Sequence, residues 1–278
     1  MERITPIRQS ILLILGLTIA GTIAIAESNP ILAMSAKEQL EQSPRHGEWV
    51  KIPSDKGRVV NAFIVFPEIK EKASSVIVIH EIFGLTDWIR LVGDKLAEAG
   101  FVAICPDLLS GMGQNGGGTE SFASGDDVRR AIRTLDPDRV TADLKAAMKY
   151  VRDLPSTTDK VAVGGFCWGG GQSFRFATKE QSLAGAYVFY GRPPQAEDIP
   201  KITCPIYGFY GENDNRINST LESTQQAAKV AGVTYEPIIY SGVGHGFLRR
   251  GMDDSADDVQ KQAVQQAWER FVKRLKAH

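Results

Sequence analysis

Residues 160–174 read "KVAVGGFCWGGGQSF", and this stretch decides the architecture. Its first half, from Lys160 to Phe166, is apolar without polar alternation, the pattern of a strand covered on both faces. Its second half opens a helix from about Trp168. Glycines crowd the junction, so the backbone there can turn sharply and lie close against its neighbours. Cys167 stands at the apex. Gly165-Phe166-Cys167-Trp168-Gly169 fits the nucleophile-elbow pattern G-x-S-x-G with cysteine in place of serine. The positive end of the helix that starts here points at Cys167, which favours a thiolate. A buried cysteine in a tight strand–helix junction is the competing reading. The stretch is not a P-loop, because the Lys-Ser/Thr pair that contacts phosphate and Mg²⁺ is missing.

On either side of this stretch, strands and helices alternate. "EWVKIPS" and "RVVNAFIVFP", separated by "DKG", read as a β-hairpin. "SSVIVIH" is a continuous apolar strand, and "WIRLVGDKLAEAG" an amphipathic helix closed by Gly100. "FVAICPDLL" is the next strand, and residues 137–153 form a helix with Pro137 near its start. After the elbow come the strands "SLAGAYVFYG", "CPIYGFYG" and "TYEPIIYSG". Helices lie in "STLESTQQAAKVAG" and in "DDVQKQAVQQAWERFVKRLKA". The order predicts one α/β domain: a mostly parallel, doubly wound sheet flanked by helices, entered through an N-terminal antiparallel hairpin. Ligands in such sheets bind at the carboxyl ends of the strands. The loops that matter therefore begin at His80, Pro106, Cys167, Tyr190, Gly211 and Gly242.

Composition narrows the function classes. The 278 residues are 43% hydrophobic and 23% charged with a net charge of −1, so a proper core is available and nucleic-acid binding is not indicated. The N-terminus carries Arg3 and Arg8, then the uncharged run "ILLILGLTIAGTIAIA", ending in the small-x-small triplet Ala24-Ile25-Ala26. Residues 1–26 are expected to be a signal peptide that exports the chain, cleaved before Glu27. An uncleaved membrane anchor over residues 11–26 is the alternative, and the only route to a membrane. Residues 27–46 show no clear period and are expected to lie on the surface, with the α/β domain over 47–278. Cys105 and Cys204 end apolar runs and read as core thiols rather than a disulfide. The chain is expected to act as a monomer.

Two further patterns fail on context. "GMGQNG", Gly111 to Gly116, has dinucleotide-binding letters but no strand directly before it and no apolar helix after it. Residues 110–126 are expected to be a mobile loop at the rim of the site. "HEIFG" at His80 lacks the second histidine of a zinc-binding helix, so no metal is expected.

The partners of Cys167 follow downstream. Asp214 lies just past the strand "CPIYGFYG", with Glu212 and Asn213 as competitors. His245 lies just past the next strand, in "SGVGHGF". Nucleophile, acid, histidine is the chain order of an α/β-hydrolase, with all three at carboxyl ends of strands.

With these residues in place, the sequence resembles the dienelactone hydrolase (carboxymethylenebutenolidase-like) family of α/β-hydrolases. The matching stretches are "VIVIHEIFGL", "GFVAICPDL", "GFCWGG", "YGEND" and "GHGF", from about Gly47 to the C-terminal helix. The resemblance implies that Cys167 is the nucleophile, with Asp214 and His245 completing the triad. It implies that Glu81 accepts the resting thiol's hydrogen bond, and the competing role for Glu81 is to cap the helix near Trp88. The oxyanion hole is expected from the backbone N–H groups of Ile82 and Trp168. Two arginines would hold a substrate carboxylate: Arg249 or Arg250 in "GHGFLRR", with Arg249 preferred, and Arg129 or Arg130 in "DDVRRAIRTLD". The expected reaction is cleavage of a small ester or lactone through an acyl-cysteine, without a cofactor. A non-catalytic binding or redox-sensing protein on the same fold is the alternative.

Overall fold

In the computed structural model the described residues are Met1, 34–253 and 255–278. Apart from Met1, the predicted signal peptide falls outside them, as does the alternative anchor over 11–26. The described residues from Met34 onward form one compact unit, and among the described residues no helix is long and apolar enough to cross a membrane.

Eight strands build one sheet: β1 Gly47–Pro53, β2 Val59–Val65, β3 Ala73–Ile79, β4 Val102–Pro106, β5 Thr157–Phe166, β6 Gly185–Phe189, β7 Ile206–Gly211 and β8 Tyr235–Tyr240. Their spatial order is β1-β2-β4-β3-β5-β6-β7-β8. The hairpin β1–β2 and the β2–β4 pair are antiparallel, and the other pairs are parallel. The chain therefore winds outward in both directions from the β3–β5 centre, which brings the carboxyl ends of β3, β5, β6 and β7 side by side.

The helices cover both faces. They are α1 Ala36–Glu41, α2 Asp87–Glu98, α3 Gly125–Arg133, α4 Pro137–Arg152, α5 Trp168–Ala177, α6 Asn215–Asn218, α7 Leu221–Ala231, α8 Phe247–Gly251 and α9 Asp258–Lys276. Along β3, Ile77 and Ile79 pack with Leu144, Met148 and Val151 of α4 and Phe174 of α5. Val76 and Val78 face the other way, toward Ile89, Val92 and Leu96 of α2 and Phe271 of α9. Strands buried on both sides have no polar face to show, which is why they read as unbroken apolar runs.

Three local readings change. The segment before β1 contains α1, closed by a capping box between Ser35 and Glu38. It is then tied to the body where Arg45 pairs with the buried Asp94 of α2 at 2.5 Å. The loop over 110–126 is held rather than loose: Asp107 accepts 2.7 Å hydrogen bonds from both the backbone N–H and the hydroxyl of Thr119. Thr119 in turn accepts from the N–H of Leu85 at 3.0 Å, which joins this loop to the one after β3. Finally, Thr86 and not Glu81 precedes the first turn of α2, so Glu81 caps nothing there.

Candidate active site

The elbow glycines are required by contact. A Cβ on Gly165 would fall 2.0 Å from the carbonyl oxygen of Gly169, and one on Gly169 would fall 2.4 Å from the carbonyls of Ile79 and His80. Only hydrogen lets α5 start this close to β3 and β5. Cys167, directly before α5, is left at φ 56°, ψ −116°, a conformation that costs a side-chain-bearing residue on the order of 1–3 kcal/mol. Its N–H donates to Phe189 of β6 at 3.0 Å, which fixes the turn and projects the sulfur from the sheet edge.

The sulfur meets an imidazole. Nε2 of His245 lies 3.1 Å from Sγ of Cys167, and Nδ1 lies 2.5 Å from Oδ2 of Asp214. A carboxylate can only accept, so Nδ1 carries the imidazole proton and Nε2 is left to accept from the thiol. The two competitors for the acid position are engaged elsewhere or face water. Glu212 accepts from the N–H of Gly242 at 2.9 Å, and Asn213 is exposed, whereas Asp214 is buried. The backbone N–H groups of Trp168 and Ile82 lie on the sulfur's side of the elbow, near enough to favour its charged form.

Electrostatics set the resting state of the thiol. Burial pushes the Cys167 thiol above the ordinary cysteine range, and the negative charge of Glu81 pushes it further the same way. The two N–H groups and the charge of Arg216 oppose this without reversing it. The resting group is thus a neutral thiol facing a base, and the helix end does not create the standing thiolate that its polarity alone would favour.

Glu81 departs from its expected contact. Its Oε2 accepts from Nε of Arg249 at 2.9 Å, and the thiol instead points to His245. Burial raises the Glu81 carboxyl while Arg249 lowers it. His80, which no sequence pattern marks as an organising residue, is fully buried behind this loop. Its Nδ1 bonds the carbonyl of Glu81 at 2.8 Å, Nε2 accepts from Leu108 at 3.3 Å, and its ring stacks on Trp168 with centroids 5.6 Å apart. The Glu81 carbonyl and the Ile82 N–H belong to one planar peptide, so this bond sets where that N–H points.

A cavity of about 790 Å³ opens over the sulfur, bounded by Glu81, Phe83, Trp168, Tyr190, His245 and Arg249, among others. Arg250 also lines it, but Arg129 and Arg130 do not. Those two pair with Asp126 and Asp127 one turn earlier on α3, and Arg130 is largely exposed. Acids spaced three residues from arginines on a helix pair with them locally, and the Arg129 guanidinium lies 5.9 Å from the centroid of Phe83 at the cavity wall. The other cavity-lining arginines are Arg133 of α3, Arg175 of α5, Arg192 after β6 and Arg216 of α6. Among the described residues no cluster of three or more His, Cys, Asp or Glu is placed to hold a metal ion.

Comparison with known proteins gives the family and the fold. Residues 60–278 match the dienelactone hydrolase family profile. The chain belongs to the dienelactone hydrolase family. A relative from Saccharolobus solfataricus that carries the name carboxymethylenebutenolidase is 31% identical over 254 residues, covering 79% of this chain and 95% of that one. The Aquifex pyrophilus protein usf is 33% identical over 234 residues, covering 80% and 94%. A Klebsiella pneumoniae crystal structure described as a dienelactone hydrolase superposes with a TM-score of 0.73 at 23% identity, over 84% of this chain and 99% of that one. It carries the same α/β-hydrolase fold. As a family member, the chain is a hydrolase.

Proposed function

We propose that the chain hydrolyses small carboxylic esters or lactones through an acyl-cysteine intermediate on Cys167. The carrying observation is the continuous line from Asp214 Oδ2 through His245 to the Cys167 sulfur, at 2.5 and 3.1 Å. As the sulfur attacks the ester carbonyl, His245 Nε2 takes the thiol proton, and the carbonyl oxygen becomes an oxyanion. The N–H groups of Trp168 and Ile82, which favour negative charge at the sulfur, donate hydrogen bonds to that oxygen. Collapse breaks the bond to the alcohol oxygen, which receives the proton from Nε2 and leaves the acyl group on sulfur. Water then enters, gives a proton to Nε2 and attacks the thioester carbonyl. The carboxylic acid departs and the proton returns to Cys167. Asp214 holds the imidazole in its Nδ1–H form and stabilises the imidazolium formed in each half-reaction.

A neutral resting thiol suits this scheme, since proton transfer accompanies attack. A charged thiolate would be open to oxidation between turnovers. Mixing the protein with excess 4-nitrophenyl acetate should release a burst of 4-nitrophenol stoichiometric with protein, followed by slower turnover. Cys167→Ala should show neither phase. A burst that survives in Cys167→Ala places the nucleophile elsewhere.

A further inference from the structure

Among the described residues, four arginines have no side-chain hydrogen bond or ion pair: Arg133, Arg192, Arg216 and Arg250. All four line the cavity over Cys167. Elsewhere in the molecule every described arginine is satisfied by an acid or a carbonyl. Unpaired like charges on one concave wall repel each other, and they focus a positive potential into the space they enclose.

Their placement along the sheet is not one-sided. Glu81 and its partner Arg249 stand above the end of β3, one strand to one side of Cys167 on β5. Glu81 neutralises Arg249, and the neighbouring Arg250, whose charge also acts on Glu81, leaves a net positive charge there. On the opposite side, Arg192 follows β6 and Arg216 follows β7, one and two strands from Cys167. The one cavity-lining acid on that side besides the triad, Asp198, is already paired with Lys201 at 2.5 Å. Unpaired arginines thus line the cavity both beside Glu81 and on the segments that follow β6 and β7.

We infer that the substrate is a dianionic ester, with one acidic group on the acyl part and one on the alcohol part, the two held by Arg250 on one side of Cys167 and by Arg192 and Arg216 on the other. This rests on the proposed hydrolysis at Cys167 and specifies its substrate class. A monoanionic ester would leave one set of arginines unmatched, and a neutral ester both.

The test uses four esters on one skeleton: phenyl pentanoate, phenyl hydrogen glutarate, 4-carboxyphenyl pentanoate and 4-carboxyphenyl hydrogen glutarate, each rate normalised to hydroxide-catalysed hydrolysis. Each added carboxylate should raise kcat/KM on the order of tenfold, and both together on the order of a hundredfold. Arg216→Gln and Arg250→Gln should each lower the dianion-to-neutral ratio on the order of tenfold, and each should remove the gain for a different monoanionic ester. Equal normalised kcat/KM for the dianion and phenyl pentanoate overturns the inference, as does loss of the same monoanion's gain in both variants. If Cys167→Ala hydrolyses phenyl pentanoate as fast as the native chain, it is the hydrolytic mechanism that fails. Calorimetric titration of the native chain then decides the anion sites alone: adipate should bind on the order of tenfold more tightly than monomethyl adipate, and equal affinities refute them.

Discussion

Cys105 and Cys167 both lie at or just beyond the end of a central strand, yet the fold places them in opposite settings. Cys105 is fully buried on the α2 face, where its thiol donates to the carbonyl of Ile89 at 3.7 Å. Burial drives its acidity far out of the physiological range. Cys167 is also pushed up by burial, so resting acidity does not separate the two. What separates them is the backbone. At φ 56° the elbow turns Cys167 out of the sheet and into reach of His245, while β4 keeps Cys105 within the core. Cys204, likewise buried, has its thiol pushed up to about 12 and has no base beside it. What sets Cys167 apart is a proton acceptor at 3.1 Å, not a thiol that is already ionised.

The contrast can be broken first at the base. His245→Asn should lower ester turnover by about 10³–10⁴-fold, because the thiol then sits as idle as Cys105. A loss under about tenfold, measured as kcat on 4-nitrophenyl acetate, would mean that His245 is not the acceptor.

Next comes the turn that presents the sulfur. Gly169→Ala would drive a methyl group against two backbone carbonyls that cannot move aside cheaply. It should cost at least about 3 kcal/mol of folding stability in urea titration. A variant of native stability would show that the elbow tolerates a wider separation from β3.

The smallest effect concerns Glu81, whose negative charge raises the Cys167 thiol. Removing that charge in Glu81→Gln should lower the thiol, moving the pH profile of iodoacetamide alkylation at Cys167 toward lower pH. Alkylation of Cys105 and Cys204 in the folded protein should stay negligible throughout. A Cys167 profile that stays in place or moves to higher pH would remove Glu81 from control of the thiol.

Much of this is legible from the residues. Strands covered on both faces leave unbroken apolar runs, and each triad member follows one of them, so order along the chain translates into proximity at one sheet edge. Asp214 can be told from Glu212 and Asn213 only once Glu212 is seen holding Gly242. The partner of Glu81 is not legible, because Arg249 is 168 residues away and its choice between solvent and carboxylate depends on tertiary placement. Arg129 and Arg130 mislead because Asp126 and Asp127 neutralise them within one turn of α3. Arg192, in a loop, and Arg216, in the one-turn α6, escape notice because single arginines there carry no periodic signal. Helix α1 is readable in principle: Ser35-Ala36-Lys37-Glu38 is a capping-box pattern ahead of a short helix.

The most direct test of the account is where the acyl group resides. Protein quenched in acid during the burst with 4-nitrophenyl acetate, digested and mapped by mass spectrometry should carry one acetyl group, on the peptide containing Cys167, as a thioester released by hydroxylamine at neutral pH. The peptides containing Cys105 and Cys204 should be unmodified. Acetyl found on another residue, or a full burst with Cys167 unmodified, would contradict the assignment of Cys167 as the nucleophile.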